Sequence, residues 1–360
     1  VIGWYVHHQG VGHLQRLVAV SRYLRTPVTA LSSAPRPAGF AGEWVQLDRD
    51  DDDPVDRSSA TAGGALHWAP LHHAGLRSRS AAVVEWVARE RPALFVTDVS
   101  VEMTALVRLC GVPVVVAAML GDRHDPAHLL GRSLAQALLA PWPAPGRAGE
   151  EDDDERRDAP PAAQTPVLHV GAFSRFDGRD APTDASEPGR VLVLWGSGGR
   201  DVTDADLLAA CEATPGWRWE HRVPGSALFR TTTRATTPAP VQGASADQGG
   251  DDVWEALLRA EVVVVHGGHN AVAEVAAARR AAVVVAQERP FGEQVRRAEL
   301  LRGEGLVALD AWPQAREWPA LLERAREVGA GPWQRWAPGD GAERAARHLD
   351  AMAANGGRLA

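Results

Sequence analysis

Residues 262–265 are four consecutive valines, and so apolar a run leaves no room for the polar alternation of a half-solvated strand. It suits a strand buried on both faces, as in a parallel sheet covered by helices. His266-Gly267-Gly268-His269-Asn270 follows as a turn, and residues 271–280 are Ala-rich with Val272, Val275 and Ala276 at helical spacing. Residues 282–286 read as the next strand, and 287–294 as a polar loop at its carboxyl end. Such a strand, turn, helix and strand belong to a doubly wound α/β sheet, which binds ligands at the carboxyl ends of its strands. The turn falls at a helix N-terminus, where free N–H groups, the dipole and closely approachable glycines suit an anion such as a diphosphate.

The same grammar recurs twice. Residues 1–6 are strand-like, followed by His7-His8-Gln9-Gly10-Val11-Gly12-His13 and then Leu14, Leu17, Val18 and Leu24 at helical spacing. A third fingerprint glycine would fall at Gln15, so a nicotinamide site is disfavoured. Residues 94–97 form a strand ending in Asp98, ahead of a helix over 101–109 and a strand over 112–118, which puts Asp98 on the sheet edge that carries Gly12 and His13. Residues 191–194 start the third instance, with Gly196-Ser197-Gly198-Gly199 as its turn and a helix over about 204–213. The acidic run 48–53 reads as a solvated loop.

A chain of 360 residues exceeds what one core usually supports. We expect an N-terminal domain over 1–175 with an exposed acidic segment at 146–166, a second domain over 190–340, and a helix in 341–360 packing back on the first. A net charge of −8 argues against a nucleic-acid partner. All 38 basic residues are Arg, which removes Schiff-base chemistry and a Walker-type phosphate loop, both of which need lysine. Cys110 and Cys211 read as reduced thiols of a cytoplasmic protein. No apolar run approaches a membrane span, though peripheral membrane contact stays compatible with the composition. The pairs His7-His8 and His72-His73 and the stretch 122–128 lack a metal-ligand spacing, so no metal site and no cofactor are expected.

Two such halves would face a central cleft lined by strand-end loops. His13 oriented by Asp98 is a general-base arrangement, able to take a proton from an attacking hydroxyl. Here the chain resembles a GT-B glycosyltransferase, nearest to the MurG-like group and more distantly the plant and macrolide enzymes. His266-x-Gly268-x-Asn270 with Glu274 downstream is similar to the His-Cys-Gly-Trp-Asn box, although positions 267 and 269 are Gly and His. The resemblance implies that His266, Gly267, Gly268, His269 and Asn270 hold the donor diphosphate, Glu274 the ribose, and Glu293 with Gln294 the sugar hydroxyls. It matches Gly12 and His13 to the family's Gly-His. Ser197, Gly198 and Gly199 are taken as part of the phosphate cradle, and Val253 with Trp254 as the base pocket by position. The expected reaction is inverting, metal-independent transfer of a sugar from a nucleoside-diphosphate sugar, used as co-substrate, to a small-molecule or lipid-linked acceptor hydroxyl. The alternatives are a nucleotide-sugar 2-epimerase of the same fold and a non-catalytic sugar-nucleotide-binding protein.

Overall fold

The computed structural model describes residues 1–52, 55, 58–144, 165–182, 185–196, 198–224, 226, 228 and 248–359. Ser197 and the acidic segment 146–166, apart from Thr165 and Pro166, lie outside them. The chain forms two compact units: Val1–Met119, Arg123–Gly171 and Asp340–Ala360 make unit 1, and Leu120–Asp122 with Ala172–Gly339 makes unit 2.

Unit 1 alternates strands and helices: β1 (Ile2–Tyr5), α1 (Val11–Ser21), β2 (Val28–Ser32), β3 (Glu43–Gln46), α2 (Ala74–Glu90), β4 (Leu94–Asp98), α3 (Val101–Leu109), β5 (Val114–Ala117), α4 (Pro126–Leu134), β6 (Ala137–Ala140) and β7 (Val167–His169). The sheet is parallel with order β3-β2-β1-β4-β5-β6-β7. β7 is shorter than the strand expected over 167–173, because the chain turns away at Gly171 with φ 81°. β1 is buried throughout, and Gly3 within it has a packing role. A Cβ there would lie 2.4 Å from the Phe95 ring and 2.8 Å from Trp86, two rings that meet edge to face at 5.9 Å. The last helix, Gly341–Ala354, completes this unit by packing on α1 and β4. It buries Ala342, Ala345, Ala346, Leu349 and Met352, and its Asp350 accepts from the N–H groups of Arg25 and Thr26, each at 3.0 Å.

The acidic run at 48–53 is not simply solvated. Asp50 is buried, with its Oδ2 2.6 Å from Nη1 of the fully buried Arg79. A guanidinium so far from water needs a counter-charge, and α2 offers none facing inward.

Unit 2 contains β8 (Arg190–Leu194), α5 (Asp204–Ala213), β9 (Arg218–Arg222), α6 (Gln248–Arg259), β10 (Val262–His266), α7 (His269–Ala277), β11 (Ala281–Val285), α8 (Glu293–Gly303), β12 (Val307–Leu309), α9 (Trp318–Val328) and α10 (Trp333–Trp336). Its parallel sheet runs β12-β11-β10-β8-β9. Every valine from Val262 to Val265 is inaccessible, as helices on both faces require. Tryptophans pack this core: Trp312 meets Trp195 at 5.9 Å and Trp318 at 4.7 Å. Among the described residues no helix is long and apolar enough to cross a membrane.

Candidate functional site

Each sheet reverses its strand order once, between β1 and β4 in unit 1 and between β8 and β10 in unit 2. Loops that leave neighbouring strands toward opposite sides open a crevice there, and ligands bind in it. The candidate residues fall at these two points.

In unit 1, α1 begins after Gly10, whose φ of 95° swings the chain off β1. Gly12 and His13 occupy the first turn of α1, and His13 Nδ1 lies 3.0 Å from Asp98 Oδ1 at the end of β4. Arg16, one turn further along the same face, donates to that oxygen at 2.6 Å. Burial would raise the Asp98 pKa, but Arg16 and His13 beside it hold the carboxyl below the usual carboxylate range. The residue after it, Val99, has φ 57°. A β-branched side chain is strained in that region, and such strain gathers at functional sites. Ser100 then caps α3 by accepting from the Met103 N–H at 3.2 Å. His7 stacks on His8 at 5.0 Å and lies 5.8 Å from the His13 ring. Burial, with His13 and His8 nearby, lowers its pKa to about 4, so it is neutral at pH 7.

In unit 2, His266 ends β10, and its Nδ1 accepts from the Gly268 N–H at 3.0 Å. A neutral imidazole that accepts at Nδ1 carries its proton on Nε2. That Nε2 is buried and has no hydrogen-bond partner among the described residues. Burial, with Arg289 and Arg297 nearby, lowers the His266 pKa to about 4. Gly268 is the N-cap of α7 and supplies no side-chain cap, and His269-Asn270 begin the first turn of the helix. A Cβ on Gly268 would fall 2.3 Å from the His266 ring. The β8 turn is held from across the sheet: Arg289 Nη2 donates to the carbonyls of Gly198 and Gly199 at 3.4 and 2.9 Å. Gln287 Oε1 accepts from Trp195 Nε1 at 2.7 Å and from the Asp201 N–H at 3.1 Å.

The remaining candidates have partners within the fold. Glu293 opens α8, and its Oε1 accepts from Nη1 and Nη2 of Arg297, both at 3.0 Å. Arg297 Nη1 also donates to the Gly267 carbonyl at 2.5 Å, which ties α8 to the His266 turn. Gln294 uses its carbonyl to accept from the Gln287 N–H at 3.0 Å. Glu274 is buried in α7 with Arg175 Nε at 2.8 Å, and burial raises its pKa against the pull of that Arg. Val253 is half-buried in α6, and the neighbouring Trp254 packs on Phe176 at 5.0 Å.

Sequence reasoning missed Arg16, Gln287 and Arg289. Arg16 carried one usable signal, its position three residues after His13 on a helix. Gln287 and Arg289 act on the β8 turn, 86 to 92 residues away in the chain, and no local pattern marks such a partner.

No protein-family model matches this chain, and no curated protein matches it in sequence. Solved structures do. The glycotransferase of kitacinnamycin superposes with a TM-score of 0.60 at 16% identity, covering 98% of both chains. MurG from Acinetobacter baumannii gives a TM-score of 0.58 at 14% identity over 98% of this chain and 99% of that one. Phytolacca americana UGT2, solved with UDP-2-fluoro-glucose and pterostilbene, gives 0.58 at 15% identity over 99% and 97%. The chain therefore has the GT-B fold of two doubly wound parallel-sheet units and is distantly similar to the glycosyltransferases that share it.

Proposed function

We propose that this protein is an inverting glycosyltransferase that moves a sugar from a nucleoside-diphosphate sugar to an acceptor hydroxyl. The observation that carries the reading is His13 Nδ1 set 3.0 Å from the buried Asp98 at the strand-order reversal of unit 1. Asp98 fixes the proton on Nδ1, which leaves Nε2 as the base. Nε2 takes the acceptor proton as the acceptor oxygen bonds to the anomeric carbon; the bond from that carbon to the diphosphate breaks, and the diphosphate leaves with the electron pair. One displacement inverts the centre. On this reading the charge on the leaving group is met by the His266 Nε2–H, the positive end of the α7 dipole and the Arg289 guanidinium, without a metal ion.

Glu274 and the pair Glu293 and Gln294 are assigned to the ribose and sugar, and Val253 to the base pocket, on family resemblance. A uridine diphosphate sugar is the first donor to try, since the plant neighbour was solved with one. His13→Ala should slow transfer by ~10²–10⁴ while leaving donor binding unchanged, as loss of a general base does. A panel of nucleoside-diphosphate sugars that produced neither binding nor slow donor hydrolysis would sink the proposal. An epimer formed from donor alone would replace transfer by 2-epimerisation. The proposed setting is cytoplasmic, where nucleotide sugars are at hand.

A further inference from the structure

The stretch 122–128 offers no metal-ligand spacing by itself, but the fold brings it a third member from elsewhere in unit 1. Asp125 is the N-cap of α4 and His128 lies three residues on, in the first turn, so both side chains share one face of the helix start. His67 comes from the connection between β3 and α2, 58 residues back in the chain. Its Nε2 lies 3.0 Å from Asp125 Oδ1, and His128 Nδ1 is hydrogen-bonded to Asp125 Oδ2. The two imidazole rings are tilted against each other with centroids 4.3 Å apart. The three ligand atoms fall within 4.8 Å of one another. Bonds of about 2.0–2.2 Å to one ion would set them roughly 3.4 Å apart in a tetrahedral site, so small side-chain rotations close the cluster on it.

The cluster is held in place and open to solvent. α3 steadies both halves: its Glu102 accepts from the His67 and Trp68 N–H groups at 2.7 and 3.0 Å, and α4 packs along it. Asp125 Oδ1 also accepts from the His128 N–H at 3.1 Å, which fixes the carboxylate as a helix cap. His67 and Asp125 are 32% and 33% exposed and His128 is 13% exposed, so an ion has a way in. His8, Asp50 and Asp51 converge as well, but there Arg79 already supplies a positive charge, on Asp50.

Two imidazoles and a carboxylate suit zinc, whereas magnesium and calcium take oxygen ligands. An imidazole ligates through a lone pair, and His128 presents its lone pair on the far nitrogen. Arg123 Nη1 donates to Nε2 at 2.8 Å, which puts the proton on Nδ1. As an ion binds, that proton has to pass from Nδ1 to Nε2 and Arg123 has to give up its hydrogen bond. Arg123 therefore competes with the ion.

We propose that His67, Asp125 and His128 form a zinc site, with water as the fourth ligand, that joins the β3–α2 connection to the start of α4 and is opposed by Arg123. The ion takes no part in the displacement proposed above.

Calorimetric titration of the full chain with zinc chloride should show one ion bound per chain, and the melting temperature should rise as zinc is added. Magnesium chloride should give no binding heat. Asp125→Asn keeps a helix cap and His67→Gln changes a solvent-facing ligand; each should weaken zinc by at least the ~10–100-fold that loss of a mere outer partner costs. Arg123→Met removes the competing donor and should tighten zinc about tenfold, the scale of one hydrogen bond to a charged group. No zinc uptake by the unmodified chain overturns the proposal. So does undiminished affinity in both Asp125→Asn and His67→Gln, which would put the ion elsewhere, and zinc bound no more tightly by a folded Arg123→Met overturns the part given to Arg123. Metal-free melting of each variant shows whether it is folded, and the first two variants decide the site even if Arg123→Met does not fold. Since no readout involves a nucleotide or an acceptor, the outcome is independent of the transferase reading.

Discussion

At the residue scale, the imidazoles are sorted by what faces each nitrogen. His13 points Nδ1 at Asp98, whereas His266 points Nδ1 at a backbone N–H; in the proposed function the first takes a proton and the second donates a hydrogen bond. The second arrangement has a consequence for stability. Unfolded, His266 titrates near its ordinary value of 6.5, and folded it is held down to about 4. Between those values the unfolded chain binds the extra proton, so this contribution is complete above pH 6.5 and is lost as pH falls toward 4. For a shift of that size the loss is about 3 kcal/mol. Denaturant unfolding at stepped pH should show stability falling across this window, and His266→Gln should flatten the fall. His7, lowered likewise to about 4, should leave part of the slope in that variant. The residue types at these positions were legible in the sequence because a glycine turn after a strand is a local pattern. Their tautomers were not, since each depends on a neighbour that only the folded chain supplies.

At the element scale, the turn between β10 and α7 is held by its neighbours. Arg297 in α8 reaches back to the Gly267 carbonyl and clamps Glu293, and its side chain is 2% exposed. Arg297→Met would leave that carboxylate and carbonyl facing an apolar side chain, at a cost of about 3 kcal/mol. The melting temperature should drop by several degrees, and if the proposed function holds, affinity for a nucleoside diphosphate should weaken because the turn loses its tether. A variant with unchanged melting temperature would show that the clamp contributes nothing. Element types were readable where one period dominates. The helix expected over 101–109 is α3 to the residue, and the valine runs became β8, β10 and β11. Ends set by tertiary contact were less so: the acidic run resolved into Asp50 buried on Arg79 only once α2 lay against β1, bringing Tyr5 within 2.6 Å of the same Arg.

For the whole molecule, the informative element is the last helix, Gly341–Ala354, which lies in unit 1 although the chain between has built unit 2. Its buried face of Ala342, Ala345, Ala346, Leu349 and Met352 covers α1 and β4, the two elements that carry His13 and Asp98. A chain ended after Asp340 should expose that surface, bind 8-anilinonaphthalene sulfonate, and lose the cooperative unfolding of unit 1. Asp350→Asn keeps the apolar face and weakens only the cap on Arg25 and Thr26, so it should cost about 1 kcal/mol. Equal damage from the two changes would contradict this account.

The discontinuity of unit 1 also orders events during synthesis. A ribosome delivers all of unit 2 before it delivers the helix that closes unit 1, so the unit that starts first is the one completed last. Until then the emerging chain carries seven parallel strands whose α1 and β4 lack their cover, a state in which apolar surface invites aggregation. Chaperone demand should therefore be greatest just before residues 341–354 emerge. For the same reason, exchanging the main body of unit 2, Ala172–Gly339, between related chains calls for an insertion at two crossings, near residues 171 and 340, with the short segment Leu120–Asp122 left in place, and a swap of everything after residue 171 would carry away part of the core that holds His13.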